Sequence, residues 1–294
     1  MLDFARWKVW AISLTILVGI LFAVPSLLPQ SALDRYPSFL PHSRISLGLD
    51  LNGGSQLLLE ADVSGSSSIL AGYLGGTRAH DRGLVDLALA HRAGTLFSSL
   101  QQSSMDLPGA NKWLLPGLVS PAQAANLRSV WDPLAAVLSG LEREGMDVII
   151  DAGRIGAEHG PLPLLRQAEV TLLVTRTSLP AIAATRARAK LLGEDLDQQG
   201  TGSDGFGLLL VGEGQPYSAR EIVTAVGVPV IASIGWDPVH AEVYSVGASA
   251  RRLENSTLTR SVTAAASSIQ QLATSRRTRL APGSLVEQEG PTHA

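Results

Sequence analysis

Hydrophobic positions along this chain change rhythm twice. Residues 9–28 (VWAISLTILVGILFAVPSLL) run on without a charged side chain, and about 20 such residues can cross a bilayer. Residues 44–50 then alternate, with Ile45, Leu47 and Leu49 set against Ser46, Gly48 and Asp50. That is the period-2 pattern of a half-buried strand. Residues 56–61 follow as a second strand, apolar on both faces, and Asn52-Gly53-Gly54 between them tolerates positive φ. Too few residues separate the two runs for a crossover helix, so the pattern predicts an antiparallel hairpin.

Beyond Asp62 the rhythm becomes strand–helix alternation. Strand-like apolar runs recur at residues 114–115, 148–150, 170–174, 208–211 and 228–232. Helical periodicity fills residues 81–93, 121–144, 179–196, 219–226 and 257–274. Ser120-Pro121 offers an N-cap followed by a proline at the first helical position, and Ser218 with Glu221 has capping-box spacing. Strands alternating with helices imply an α/β fold, a mostly parallel sheet with helices on both faces. The Ala/Leu-rich helices at 121–144 and 179–196 read as sheet-covering core rather than partner-binding surfaces. Four segments result: an anchor over residues 1–32, a connector and first strand over 33–56, the α/β body over 57–275, and a flexible tail over 276–294.

Residues 9–28 fit an uncleaved anchor better than a signal peptide, whose apolar region is usually only about 7–15 residues. No clear small-x-small site follows Pro25. Arg6 and Lys8 precede the span and Trp7 and Trp10 sit at its start, which keeps the N-terminus cytoplasmic by the positive-inside rule. Arg35 and Arg44 on the far side weaken that bias without cancelling it. A single pass through a bacterial inner membrane follows, with the side occupied by the body left open.

Composition narrows the chemistry. With 45% hydrophobic and 17% charged residues among 294, the chain is too apolar for disorder. The net charge of −3 comes without a basic cluster, so no nucleic-acid partner is expected. The absence of cysteine removes disulfides, zinc–thiolate sites and thiol nucleophiles. The histidines His42, His80, His91, His159, His240 and His293 show no i, i+3 or i+4 pair, so no metal site is read from them. No G-x-S-x-G elbow occurs.

Glycine-rich motifs are equally restrained. GTGSDG, Gly200 to Gly205, matches G-x-G-x-x-G but follows a helix and precedes a strand, so it reads as a surface turn. No Gly-Lys-Ser or Gly-Lys-Thr exists anywhere in the chain. A triphosphate therefore lacks its usual charge compensation. Asp151, closing the run MDVIID, stands where α/β sheets place their chemistry and could face a hydrated Mg²⁺. Taken alone, such an aspartate more often ends a strand and caps the next turn. Asn255-Ser256-Thr257 forms a glycosylation sequon that doubles as a helix start.

Two family resemblances meet in this chain. MLDFARWKVWAI and then FAVPSLLPQSALDRYPSFLPHSRISLGLDLNGGSQLLLEAD resemble the start of SecD, a membrane subunit of the bacterial Sec export machinery. The specific part is LGLDL-x-GG, which is Leu47, Gly48, Leu49, Asp50, Leu51, Gly53 and Gly54. That resemblance implies protein translocation, with SecF and the Sec translocon as partners. It stops at Asp62.

Residues 57–274 resemble a MinD/ParA-like deviant P-loop ATPase of actinobacterial type. LLLEADVSGSSSILAGYLGG resembles the strand carrying that family's switch aspartate, here Asp62. DVIIDAGRIG resembles its Walker B strand, with Asp151 facing Mg²⁺. AEVTLLVTRTSLPAIAATRARAKLL and GLLLVGEGQPYSAREIVTAVGVPVIASIGWDP resemble the elements that follow. The family's first strand, lysine-bearing phosphate loop and next helix are missing, as is the asparagine after the adenine-side strand, where Val211 runs into Gly212-Glu213.

The resemblances therefore imply a membrane-anchored hybrid whose ATPase-like body does not turn over. ATP and Mg²⁺ enter only through the family likeness, and no cofactor site is read from the residues themselves. The alternatives are a SecD-type export component, or a MinD/ParA-like ATPase in cell-division or partition positioning. A homo-oligomer would suit the apolar sheet face that the missing elements should leave uncovered.

Overall fold

The computed structural model describes residues 54–280, apart from residues 66, 68, 109, 110, 142 and 143. The expected anchor at 9–28, the strand at 44–50 and residues 281–294 of the expected tail lie outside the described residues, while residues 276–280 of that tail end a helix instead, with Arg276 buried. Among the described residues no helix is long and apolar enough to cross a membrane.

Strand β1 is Ser55–Glu60, and it corrects the hairpin expected from the glycine turn. It pairs in parallel with β3 (Lys112–Leu115) on one edge and with β4 (Met146–Asp151) on the other. Both edges are therefore taken, and no antiparallel partner can pair along it. The reason was already visible in LLLE: a strand apolar on both faces suits the middle of a parallel sheet, not a two-stranded ribbon. The short β2 (Met105–Asp106) adds antiparallel to β3, giving the order β2-β3-β1-β4.

Between β1 and β3 lie a π-turn at Ile69–Tyr73 and the helices α1 (Leu84–Arg92) and α2 (Leu96–Ser103). The helix expected over 121–144 is two elements, a 3₁₀ turn at Pro121–Leu127 and α3 at Trp131–Leu141. Pro133 has no N–H to offer the carbonyl of Ser129, so the ladder restarts with the proline in a first turn, where no such bond is needed. Leu57 and Leu59 of β1, Leu87 of α1, Leu100 of α2 and Trp131 and Leu134 of α3 form one continuous core.

Past β4 comes the six-residue α4 (Leu162–Gln167), then a second, parallel sheet in the order β5-β6-β7. Its strands are Thr171–Arg176, Phe206–Val211 and Val230–Ile234. Helix α5 (Leu179–Gln199) connects β5 to β6, and α6 (Ala219–Val226) connects β6 to β7. The Ser218 hydroxyl accepts from Glu221 N–H while the Glu221 carboxylate accepts from Ser218 N–H, the capping box expected from sequence. Two further helices, α7 (Pro238–Ser245) and α8 (Thr257–Leu280), complete the fold, and α8 packs on β7.

Helix α4 ties the halves together on one side. Leu164 belongs to the first core, while Leu165 packs against the Ala189, Leu192, Leu196 and Phe206 cluster of the second. On the opposite side β4 and β5 present Ile149 (47% exposed) and Val174 (59% exposed). Among the described residues β4 pairs only with β1, and β5 only with β6.

Candidate functional site

Parallel strands that start together also end together, and their carboxyl ends are where α/β folds place ligands. Asp62 lies two residues beyond β1 and Asp151 closes β4. Glu60 and Asp151 are register partners, and Ala61 N–H donates to the Asp151 carbonyl at 2.8 Å. The Asp62 carboxylate accepts from Ser64 N–H at 2.9 Å and from the Ser64 hydroxyl at 2.7 Å. The Asp151 carboxylate accepts from Gly153 N–H at 2.9 Å.

Gly153 borders both of these aspartates. Its φ is +66°, and a Cβ there would run into the Asp62 carboxyl group. Asp62 can therefore lie against the Asp151 turn only because position 153 has no side chain. Beneath them Glu60 is buried, accepting from Ile69 N–H at 3.2 Å and Gly117 N–H at 3.4 Å. Glu60 thereby pins the segments after β1 and β3 to the same end of the sheet, a role hidden in the LLLEAD string. Asp151 ends β4 and caps its own turn.

Mg²⁺ bound with a nucleotide typically takes one or two carboxylates plus phosphate oxygens and water. Asp62 and Asp151 match the protein's share of that set. Among the described residues no group of three or more acidic or histidine side chains could hold a metal alone. The phosphate share is different. Of the described lysines, Lys112 opens β3 and so lies at the opposite end of the sheet. Lys190 is exposed on α5, 3.9 Å from Glu194, beside a groove at the start of β6. The two aspartates are therefore of the residue type that takes such a cation, and neither described lysine stands with them.

The ends of the second sheet carry groups that sequence patterns did not single out. Arg176, the last residue of β5, lies 5.1 Å from the Trp236 ring beyond β7, a cation–π contact. Glu213 stands where the expected asparagine is missing. Its carboxylate accepts from the Ser233 hydroxyl at 2.5 Å and from Ala219 N–H at 3.2 Å, so it braces α6 against β7. The buried Thr177 hydroxyl lies between the carbonyls of Gly212 (2.5 Å) and Gln215 (2.8 Å). A charged residue ending an apolar run was the available clue to Arg176.

Asp237 caps α7, accepting from His240 N–H at 3.3 Å and from Leu258 N–H at 3.3 Å, and its carboxylate meets His240 Nδ1 at 2.9 Å. That hydrogen bond holds the Asp237 carboxyl below its usual range and raises His240. Gly200 to Gly205 is a turn between α5 and β6, as expected, and its Asp204 carboxylate pairs with Arg276 at 2.5 Å. Ser256 of the sequon accepts from Thr259 N–H at 3.0 Å at the start of α8. Of the SecD-like motif, Leu47, Gly48, Leu49, Asp50, Leu51 and Gly53 lie outside the described residues, and Gly54 leads into β1.

The fold is that of a P-loop-NTPase-like α/β protein. Solved structures with this fold include a ParA-family ATPase from Chlorobium tepidum TLS, with a TM-score of 0.58 and 13% identity over 74% of this chain and 87% of that one. The septum site-determining protein MinD from Pyrococcus horikoshii OT3, complexed with Mg-ADP, gives 0.56 and 20% over 76% and 86%. Cyanothece McdA in its apo form gives 0.54 and 16% over 72% and 88%. No known family profile and no curated protein sequence matches the chain. At these identities the likeness is one of fold.

Proposed function

We propose that this chain is a MinD/ParA-like module that works by binding, at a membrane, rather than by turning over ATP. The observation that carries it is the site itself. Asp62 and Asp151 each border Gly153 at the strand ends, while the described lysines stand elsewhere. The sequence contains no Gly-Lys-Ser or Gly-Lys-Thr that could add the missing cradle. The membrane part rests on the uncharged run at residues 9–28. Phosphate release by the purified full chain with Mg²⁺ and ATP should stay at the no-enzyme background. Specific turnover abolished by Asp151→Ala would overturn the proposal.

The convergence of the two carboxylates favours one second reading, a MinD/ParA-like ATPase completed by a lysine from another polypeptide. In that case Asp151→Ala should weaken Mg²⁺-dependent nucleotide binding, and unchanged affinity would dismiss it. Export-type function, with SecF and the translocon as partners, rests on LGLDLNGG alone. Co-purification with the translocon is its test. Parallel C-terminal fusions to alkaline phosphatase and to a cytosol-dependent fluorescent protein would report the side occupied by the body.

A further inference from the structure

Among the described residues the β-sheet is interrupted between β4 and β5, and the interruption has a definite chemistry. Within β4 the side chains alternate: Met146, Val148 and Ile150 pack on the first core, while Asp147, Ile149 and Asp151 are exposed on the other face. Because α4 joins both cores on the first side, the exposed row of β4 and Val174 of β5 belong to the second. A parallel strand is ordinarily covered on both faces and paired on both edges, and unpaired N–H and C=O groups at an edge attract another strand. Here Ile149 is flanked along β4 by two carboxylates, with Asp62 adding a third charge beyond Asp151, and Val174 is exposed on β5. The cation of β5, Arg176, is already engaged by Trp236.

We propose that the open edge of β4, at the seam with β5, is a docking site for an extended segment of a partner protein that is apolar at its centre and basic at both ends. Its main chain would add to the β4 ladder, the mode by which exposed sheet edges take up peptides. Its apolar side chains would cover Ile149 and Val174, and its basic ends would face Asp147 and the Asp62–Asp151 corner. Charge complementarity, rather than exposed apolar area alone, selects this occupant. An acidic-ended strand would place like charges together along the row. The site is independent of nucleotide, so its failure would leave the proposed absence of turnover standing.

The test uses the full chain and a fluorescein-labelled peptide with a Val/Ile centre and Lys-Lys ends, compared with the same centre carrying Glu-Glu ends. Expected are saturable binding of the lysine peptide, new hydrogen-exchange protection of β4 amides, and at least about tenfold weaker binding of the glutamate peptide. Asp147→Lys, a change at an exposed position that leaves Ile149 and the Asp62–Asp151 pair intact, should remove most of that preference. A centre carrying proline should fail, since it cannot complete a ladder. Equal binding of the two peptides, or none of either, would overturn the proposal. So would β4 amides protected before any peptide is added, whether in a monomer or in a self-associated species on sedimentation, because the edge would then be filled already.

Discussion

The two sheets solve the same packing problem with different materials. Around β1, β3 and β4 a single cluster runs without interruption from Leu57 to Leu164, and Trp131 sits inside it with its indole N–H donating to the His159 carbonyl at 2.9 Å. Around β5, β6 and β7 the described core divides into two clusters of four fully buried residues each, one on Leu208, Leu210 and Ile222, the other on Leu192, Leu196 and Phe206. Polar clasps supply what apolar continuity does not. Arg166 and Asp195 form a two-bond pair at 2.9 and 2.7 Å, and Thr185 donates to Thr175 at 2.7 Å inside the sheet–helix contact. Arg276 reaches from α8, only 2% exposed, to the carbonyls of Glu169 and Thr201 and to Asp204. The first half is held by shape and the second by specific bonds, so the two should respond to different insults.

The largest expected effect is on the continuous core. Trp131→Ala removes a buried aromatic and its hydrogen bond, and should cost about 3–5 kcal/mol in urea denaturation. Phe206→Ala is the matched change in the second half and should fall at or below the low end of that range. Phe206 borders an open groove of about 640 Å³ between α5 and the α6–β7 turn, so the site is already incompletely packed. A larger loss for Phe206→Ala than for Trp131→Ala would break the contrast between the halves.

Next comes the clasp. Arg276→Leu keeps much of the stem but leaves the Glu169 and Thr201 carbonyls without that donor. A cost of about 2–3 kcal/mol is expected, set by the orphaned carbonyls, because Asp204 is 45% exposed along its side chain and can rehydrate. Trypsin should also cut faster at Arg277 and Arg279 near the end of α8. Unchanged proteolysis and stability would mean that α8 is held by its packing on β7 alone, and that the second half is less dependent on polar bonds than the geometry implies.

Much of this division was legible beforehand, and the failures are instructive. Strand–helix alternation gave β3 to β7 and the long helices, because apolar periodicity reports burial directly. Short pieces escaped it. The six residues of α4 and the two of β2 carry too little periodicity to register, and α7 buries no residue fully, so it has no apolar stripe to read. The hairpin failed for a different reason. Asn52-Gly53-Gly54 is turn-like, but local turn chemistry says nothing about which distant strands will take the edges of β1. At the site, Asp151 is legible from its strand-end position and Asp62 through family likeness, whereas the fit of Asp62 against the Asp151 turn depends on the missing side chain of Gly153, a long-range fit that no single stretch encodes. Glu60, Arg176 and Trp236 are placed by tertiary contacts alone.

The smallest effect tests whether proton linkage is confined to the second half. Among the described residues every resolved shift falls from Arg166 onward. Asp195, Glu221 and Asp237 are all held below their ordinary values, by hydrogen bonds from Arg166, Ser218 and His240 respectively. Stability from a lowered carboxylate is present above its unfolded pKa and is lost as pH falls through the folded one. Three groups therefore share the acid limb, and it diagnoses none of them. His240 runs the other way, raised chiefly by its hydrogen bond to Asp237 and opposed by burial. Its contribution is complete below its unfolded value of about 6.5 and fades as pH rises through the raised folded value. Hydrogen exchange across that alkaline window should show α7 and the start of α8 loosening while β1 and β4 stay protected. His240→Gln should flatten the alkaline limb and reduce the Asp237 share of the acid limb, leaving the Asp195 and Glu221 shares in place. If β1 and β4 amides loosen together with α7, the halves open as one unit, and the difference in their materials does not reach their dynamics.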